Sequence, residues 1–134
     1  MRYLLPHQLS DTAEGLSYLH SSNVIHGDLK GVRGCSQPHF TLVLTYRQSN
    51  ILVTAIGRAQ ITGFGLATVT KNSDYMWSAL ADLERTVRWT APEILNGQGT
   101  YSKKADVFSF AMVTIEARCG PLPWTRYITD YLSF

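Results

Sequence analysis

The stretch Val24-Ile25-His26-Gly27-Asp28-Leu29-Lys30 constrains this chain more than any other. A β-branched pair predicts a short buried strand, because such side chains pack well on a pleated, half-buried surface. The loop that follows presents a carboxylate, Asp28, two residues before an amine, Lys30. A carboxylate can accept or steer a hydroxyl proton, and an ammonium can neutralise charge on a transferring phosphoryl group. Taken alone, Asp-x-Lys in a loop more often describes a solvated surface pair of little energetic weight. Its neighbours decide between the two.

Upstream, Leu9, Ala13, Leu16 and Leu19 recur at helical spacing and predict an amphipathic helix over Gln8 to His20, ended by Ser21-Ser22-Asn23. Downstream, Asn50-Ile51-Leu52-Val53 and Ala59-Gln60-Ile61-Thr62 read as two strands turning at Ile56-Gly57. Between Val32 and Gln48, Phe40, Leu42 and Leu44 alternate with Thr41, Val43 and Thr45 in a segment otherwise rich in turn residues. From Gly63 to Thr90 there is little apolar periodicity, and a loop that long in a compact domain is commonly functional. Ala91-Pro92-Glu93-Ile94-Leu95 predicts a short helix with proline early, where its missing N–H does little harm. Ser102 is placed to cap a following helix. In that helix Val107, Ala111 and Ile115, with Phe108 and Phe110 beside them, predict burial around most of its circumference. Gly120-Pro121 is its expected stop.

Composition narrows the partners. A chain of 134 residues with 45% hydrophobic residues is the size of one domain. A net charge of +2 is too mild to argue for nucleic acid or a membrane surface, and no run approaches membrane-spanning length. No signal peptide is visible at the start, and Cys35 and Cys119 are two and far apart, so inert thiols in a reducing, cytoplasmic setting are expected. Neither a zinc site nor a disulfide framework fits that count.

Taken in order, the motifs resemble a protein kinase, specifically its large helical lobe. His26-Gly27-Asp28-Leu29-Lys30 stands as the catalytic loop, with Asn50-Ile51-Leu52 after it. Gly63-Phe64-Gly65 opens the activation segment and Ala91-Pro92-Glu93 closes it. Lys103 to Phe110 is similar to the start of the central helix, and Pro121-Leu122-Pro123-Trp124 to the bend after it. The fold the resemblance implies is α+β, mainly α: a partial kinase-like C-terminal lobe, with no Gly-rich phosphate loop, strand lysine or partnering glutamate to form a small lobe.

The resemblance implies ATP and Mg2+ as cofactors and assigns roles residue by residue. Asp28 accepts or orients the substrate hydroxyl proton and Lys30 contacts the γ-phosphate. Asn50 holds magnesium, and Leu52 lies under the adenine. His26 takes a structural place, packed with Phe64 and tied to Asp106, and Asp106 anchors the catalytic-loop backbone. Lys two residues beyond the Asp, and Thr86-Val87-Arg88-Trp89 before Ala91-Pro92-Glu93, are similar to the tyrosine-kinase-like branch of Ser/Thr kinases.

Departures from the pattern point to impaired chemistry. Gly63 stands where the family has the principal metal-binding Asp of Asp-Phe-Gly. One preorganised electrostatic group is worth on the order of 100–1000-fold in rate, and a metal ligand is at the upper end or beyond. Residues 32–48 separate Asp28 from Asn50, and their removal leaves His-Gly-Asp-Leu-Lys-Gly-Ser-Asn-Ile-Leu, the family spacing. A translated intron, or another insertion, is the simplest reading, with a regulatory insert as its rival; amplifying the transcript across the junction separates them. A loop this long is expected to leave the Asp28–Asn50 geometry poorly specified, where about 1 Å can cost 100-fold. The chain stops shortly after Trp124, so Glu93 is expected to be a stranded buried carboxylate, at a cost of about 3–5 kcal/mol and marginal stability. Gly27 replaces an Arg that would receive an activation-loop phosphate, so phosphorylation within 68–86 is expected not to switch activity. The expected function is therefore a protein Ser/Thr kinase domain segment with lost or impaired transfer. The alternatives are a pseudokinase-type module binding a protein partner, and a non-functional product of a broken gene.

Overall fold

Pro6 starts the first helix, where a residue without an N–H is tolerated, and the Leu5 N–H is satisfied by Gln8 Oε1 at 3.0 Å. This helix, α1 (Pro6–Ser21), ends where Asn23 takes a positive φ of 56°. The computed structural model describes residues 4–31, 33–34, 50–69 and 87–119. The expected alternation over Phe40 to Thr45, the Gly120-Pro121 stop and the Pro121–Trp124 bend lie outside them.

The face α1 buries is not the purely apolar one its leucines suggest. Gln8, Thr12 and Leu16, spaced by four, are its buried residues, whereas Leu9, Ala13 and Leu19 are only partly covered. The two polar members are satisfied. Gln8 Nε2 donates to Gly57 O at 2.9 Å and Thr12 Oγ1 to Gln8 O at 2.8 Å. Each bond offsets the desolvation that an unpaired buried polar group would suffer.

The hairpin forms as its turn residues predict. β3 (Ile51–Val53) and β4 (Ala59–Ile61) pair antiparallel with Leu52 opposite Gln60, and Gly57 closes the turn at φ 85°. Asp11 ties α1 to that turn: both its oxygens accept from Arg58 Nε at 2.9 Å, and Oδ2 also accepts from Ala59 N. Two further strands arise from long-range pairing. β1 (Val24–Ile25) pairs antiparallel with β5 (Thr68–Val69), and β2 (Arg33–Gly34) pairs parallel with β3.

Pro92–Leu95 forms α2, with proline in its first turn as expected. α3 (Lys103–Cys119) begins as Ser102 predicts, its Oγ accepting from Ala105 N at 3.2 Å. The core gathers Leu16, Leu29, Ile51, Trp89, Val113 and Ala117 from α1, the catalytic-type loop, β3, the turn before α2, and α3. A side chain such as Ile51, fully buried, contributes on the order of 2 kcal/mol.

One expectation for α3 is corrected. Its buried positions are Ala105, Asp106, Val113 and Ala117, while Val107, Ala111 and Ile115 lie exposed, Val107 at 55%. Residues 107, 111 and 115 share one stripe by fours, and the stripe toward the loop and core is the other one. Glu93 is exposed as well, so the cost of a stranded buried carboxylate does not arise. Among the described residues no helix is long and apolar enough to cross a membrane.

Candidate active site

Asp106 builds the site from below. Its helix is apolar toward the core, so a fully buried carboxylate there must be fully hydrogen-bonded. Oδ2 accepts from His26 N at 2.9 Å and from His20 Nε2 at 2.8 Å, and Oδ1 accepts from Gly27 N at 2.9 Å. The anchoring role expected of Asp106 is what these bonds perform. His26, however, is tied to it through the backbone, not the ring.

The His26 ring is fully buried and faces Phe64 edge-on, with centroids 5.4 Å apart. The Asp28 N–H donates to Nδ1 at 3.2 Å, so Nδ1 must be unprotonated and Nε2 must carry the proton it shares with Thr62 O at 2.8 Å. One imidazole thereby links the loop, the end of β4 and the Phe64 turn. Its two nitrogens are both spent on backbone, which leaves it a structural part.

Above this base stand Asp28, Lys30 and Asn50. Lys30 Nζ lies 2.8 Å from Asp28 Oδ2, and their side chains are only 8% and 15% exposed, so the solvated-pair reading does not describe them. Asn50 Nδ2 donates to the same Oδ2 at 2.8 Å and to Asp28 O at 2.5 Å. The long segment between Asp28 and Asn50 thus does not leave their geometry loose. Asn50 N donates to Lys30 O at 3.0 Å, Thr62 N donates to Asn50 O at 2.8 Å, and β2 lies alongside β3. The Lys30–Asn50 bond and the β2–β3 pairing hold the two ends of the segment together at its base.

Gly63 sits beside this cluster at φ 78°, a left-handed conformation that favours glycine. A Cβ there would fall on Asn50 Oδ1 and Cγ, and 2.9 Å from Asn50 Nδ2. Leu52, on β3, is 47% exposed and so presents part of its apolar side chain to solvent.

On its other side Asp28 borders a shallow depression lined also by Gly27, Thr90, Ala91, Ile94 and Tyr101. Burial, and then the negative charge of Asp28, push the Tyr101 phenol above its usual range. Trp89 closes the floor of the depression: its Nε1 donates to Glu116 Oε2 at 3.1 Å and its carbonyl accepts from Ser109 Oγ at 2.6 Å.

Every site residue singled out in the sequence other than Leu52 and Gly63 therefore enters one connected hydrogen-bonded group, and Gly63 abuts it. His20, Tyr101, Trp89 and Ser109 were not foreseen. The one available signal was the charge at Asp106, which had to be matched by some donor on another helix. Cys119 is free and exposed, and Cys35 lies outside the described residues. Among the described residues no three His, Cys, Asp or Glu side chains converge on a point.

Residues 45–131 match the family model described as protein tyrosine and serine/threonine kinase. The chain is 33% identical over 116 residues to mitogen-activated protein kinase kinase kinase mkh1 of Cytospora mali, covering 86% of this chain and 5% of that protein. It is 29% identical over 114 residues to human mitogen-activated protein kinase kinase kinase 3, covering 85% of this chain and 15% of that one. With serine/threonine-protein kinase STY17 of Arabidopsis thaliana it shares 33% identity over 119 residues, 89% of this chain and 17% of the relative. The chain thus spans a small part of the length of the relatives it matches.

Proposed function

Because this chain belongs to the protein tyrosine and serine/threonine kinase family, we propose that it is a segment of the large helical lobe of a Ser/Thr protein kinase in which phosphoryl transfer is lost. The family reaction moves the γ-phosphoryl of ATP to a protein hydroxyl with Mg2+ as the metal. By the family pattern Asp28 would orient an acceptor hydroxyl, Lys30 would face the γ-phosphate of ATP, and Leu52 would form part of the adenine floor. Three relatives carrying Ser/Thr or kinase-kinase-kinase names support the acceptor class.

One observation carries the loss of activity. At position 63, where the family pattern calls for a metal-binding carboxylate, glycine leaves none, and Asn50 lies against that place. Magnesium prefers near-octahedral oxygen ligands. It would meet a single carboxylate already paired with Lys30, and an amide whose NH2 group faces that carboxylate. The donor set does not fit the ion. Incubation of the purified chain with radiolabelled ATP, Mg2+ and a Ser/Thr peptide is expected to give no transfer. Incorporation that disappears in Asp28→Ala would overturn this reading.

A second reading, a protein-binding module without catalysis, is favoured by the apolar stripe Val107, Ala111 and Ile115 exposed on α3. Thermal stabilisation by ATP with Mg2+ speaks for a retained nucleotide site and against the module reading. No nucleotide effect, with a protein partner held by wild type and released by Val107→Asp, speaks for the module.

A further inference from the structure

Glycine at 63 does not leave an open space beside the Asp28 cluster: the Asn50 amide atoms stand 2.9 Å or less from where a Cβ would be. Here Asp28 Oδ2 is matched twice, by Lys30 Nζ and by Asn50 Nδ2 at 2.8 Å each, and the Asp28 carbonyl is bound by the same amide. The amide orientation follows from chemistry: both partners on Asp28 are acceptors, so the NH2 end must face them. The Oδ1 end is thereby directed at Gly63, into the space a side chain at 63 would need.

We infer that Asn50 is a plug. With glycine at 63, its side chain occupies the volume of the missing one, and Asp28, Lys30 and Asn50 form a closed lock that positions the loop without metal. Asn50 and residue 63 compete for one space, so their effects are coupled. Asn50 is buried and its backbone is held by Lys30 and Thr62, so space for a Cβ at 63 has to come from rotation of its side chain. To admit a Cβ at 63 it must release both bonds to Asp28. A consequence is that Gly63→Asp alone does not reconstitute a metal site, because the incoming carboxylate meets the amide before it meets an ion. Asn50 is in this reading a positioning residue for Asp28.

The inference stands on the geometry of this chain and not on whether it transfers phosphate. Its test is a double-mutant cycle in the full chain: Gly63→Ala, Asn50→Ala, and both, with the folded fraction read by pulse proteolysis in graded urea. Alanine at a left-handed position is unfavourable in either background, and that cost cancels in the cycle. Gly63→Ala is expected to lower the folded-to-unfolded ratio at least about fivefold more with Asn50 present than with Asn50→Ala. A single variant too unstable to fold, beside a double variant that folds, is the same result in extreme form. Equal losses in the two backgrounds, or a double variant that fails wherever the single one does, overturn the plug. A second measurement uses Mn2+ alone, followed by its paramagnetic resonance. No stoichiometric site is expected in wild type or Gly63→Asp. One equivalent bound by wild type and lost in Asp28→Asn overturns the metal-free lock, and it does so without reference to any kinase assay.

Discussion

Asp106 lies 80 residues beyond His26 in the chain and 2.9 Å from its backbone nitrogen. This bond, repeated at Gly27, hangs the catalytic-type loop from the central helix, and His20 brings α1 to the same carboxylate. Asp106→Ala leaves three donors without an acceptor, that of His26 buried and those of His20 and Gly27 partly so, and is expected to cost about 3–5 kcal/mol, the usual result of removing one partner from a buried charged group. His20→Ala removes one of three and is expected to cost about 1.5–3 kcal/mol. Urea denaturation of the three proteins measures both, and equal losses would place the weight of the anchor on His20 alone.

The tie between α1 and the hairpin depends on pH. Hydrogen bonds from Arg58, and then from the Ala59 N–H, hold the Asp11 carboxyl below its ordinary value of 3.8. A carboxylate depressed in the folded state stabilises the fold fully above its unfolded pKa, and loses that contribution as pH falls through the folded one. Stability is therefore expected to decline below about pH 4. Asp11→Asn removes this part of the decline, which acid titration of the folded fraction would detect.

Tyr101 behaves in the opposite sense at alkaline pH. Burial and the charge of Asp28 keep its phenol protonated above the ordinary 10.0. The unfolded chain releases that proton more readily, so stability falls as pH rises past 10. The phenolate absorbance of wild type minus Tyr101→Phe isolates this one among seven tyrosines. Its midpoint is expected to move down toward 10 in Asp28→Asn.

Gly27 is required by its backbone. At φ 76° an added Cβ stands 3.2 Å from Leu66 O and 3.5 Å from Tyr101 Cδ1. Gly27→Ala is expected to cost about 1–2 kcal/mol for the left-handed conformation. A chemical-denaturation midpoint unchanged from wild type would count against it.

Local rules were sufficient wherever a segment's shape depended on its own residues. The early proline of α2, the Ser102 cap and the Gly57 turn each formed as read, because each satisfies a backbone need within a few residues. The order of the motifs was also legible, and with it the family. Burial was not. In α1, Leu9 and Leu19 are only partly covered whereas Gln8 and Thr12 are buried, since the hairpin turn offers a carbonyl that only a polar side chain can use. In α3 the stripe chosen from hydrophobicity faces outward, because Asp106 and Ser109 must turn toward the loop and Trp89.

What the amino-acid order determined by itself is therefore the set of turns, caps and motifs, the glycine at 63 among them. What only the tertiary structure decided is how that glycine and its neighbours meet. The turning of Asn50 onto Asp28, and the pairing of β2 with β3, are contacts between positions far apart in sequence. No propensity or spacing encodes them, because they exist only once the hairpin, the loop and the central helix share one core.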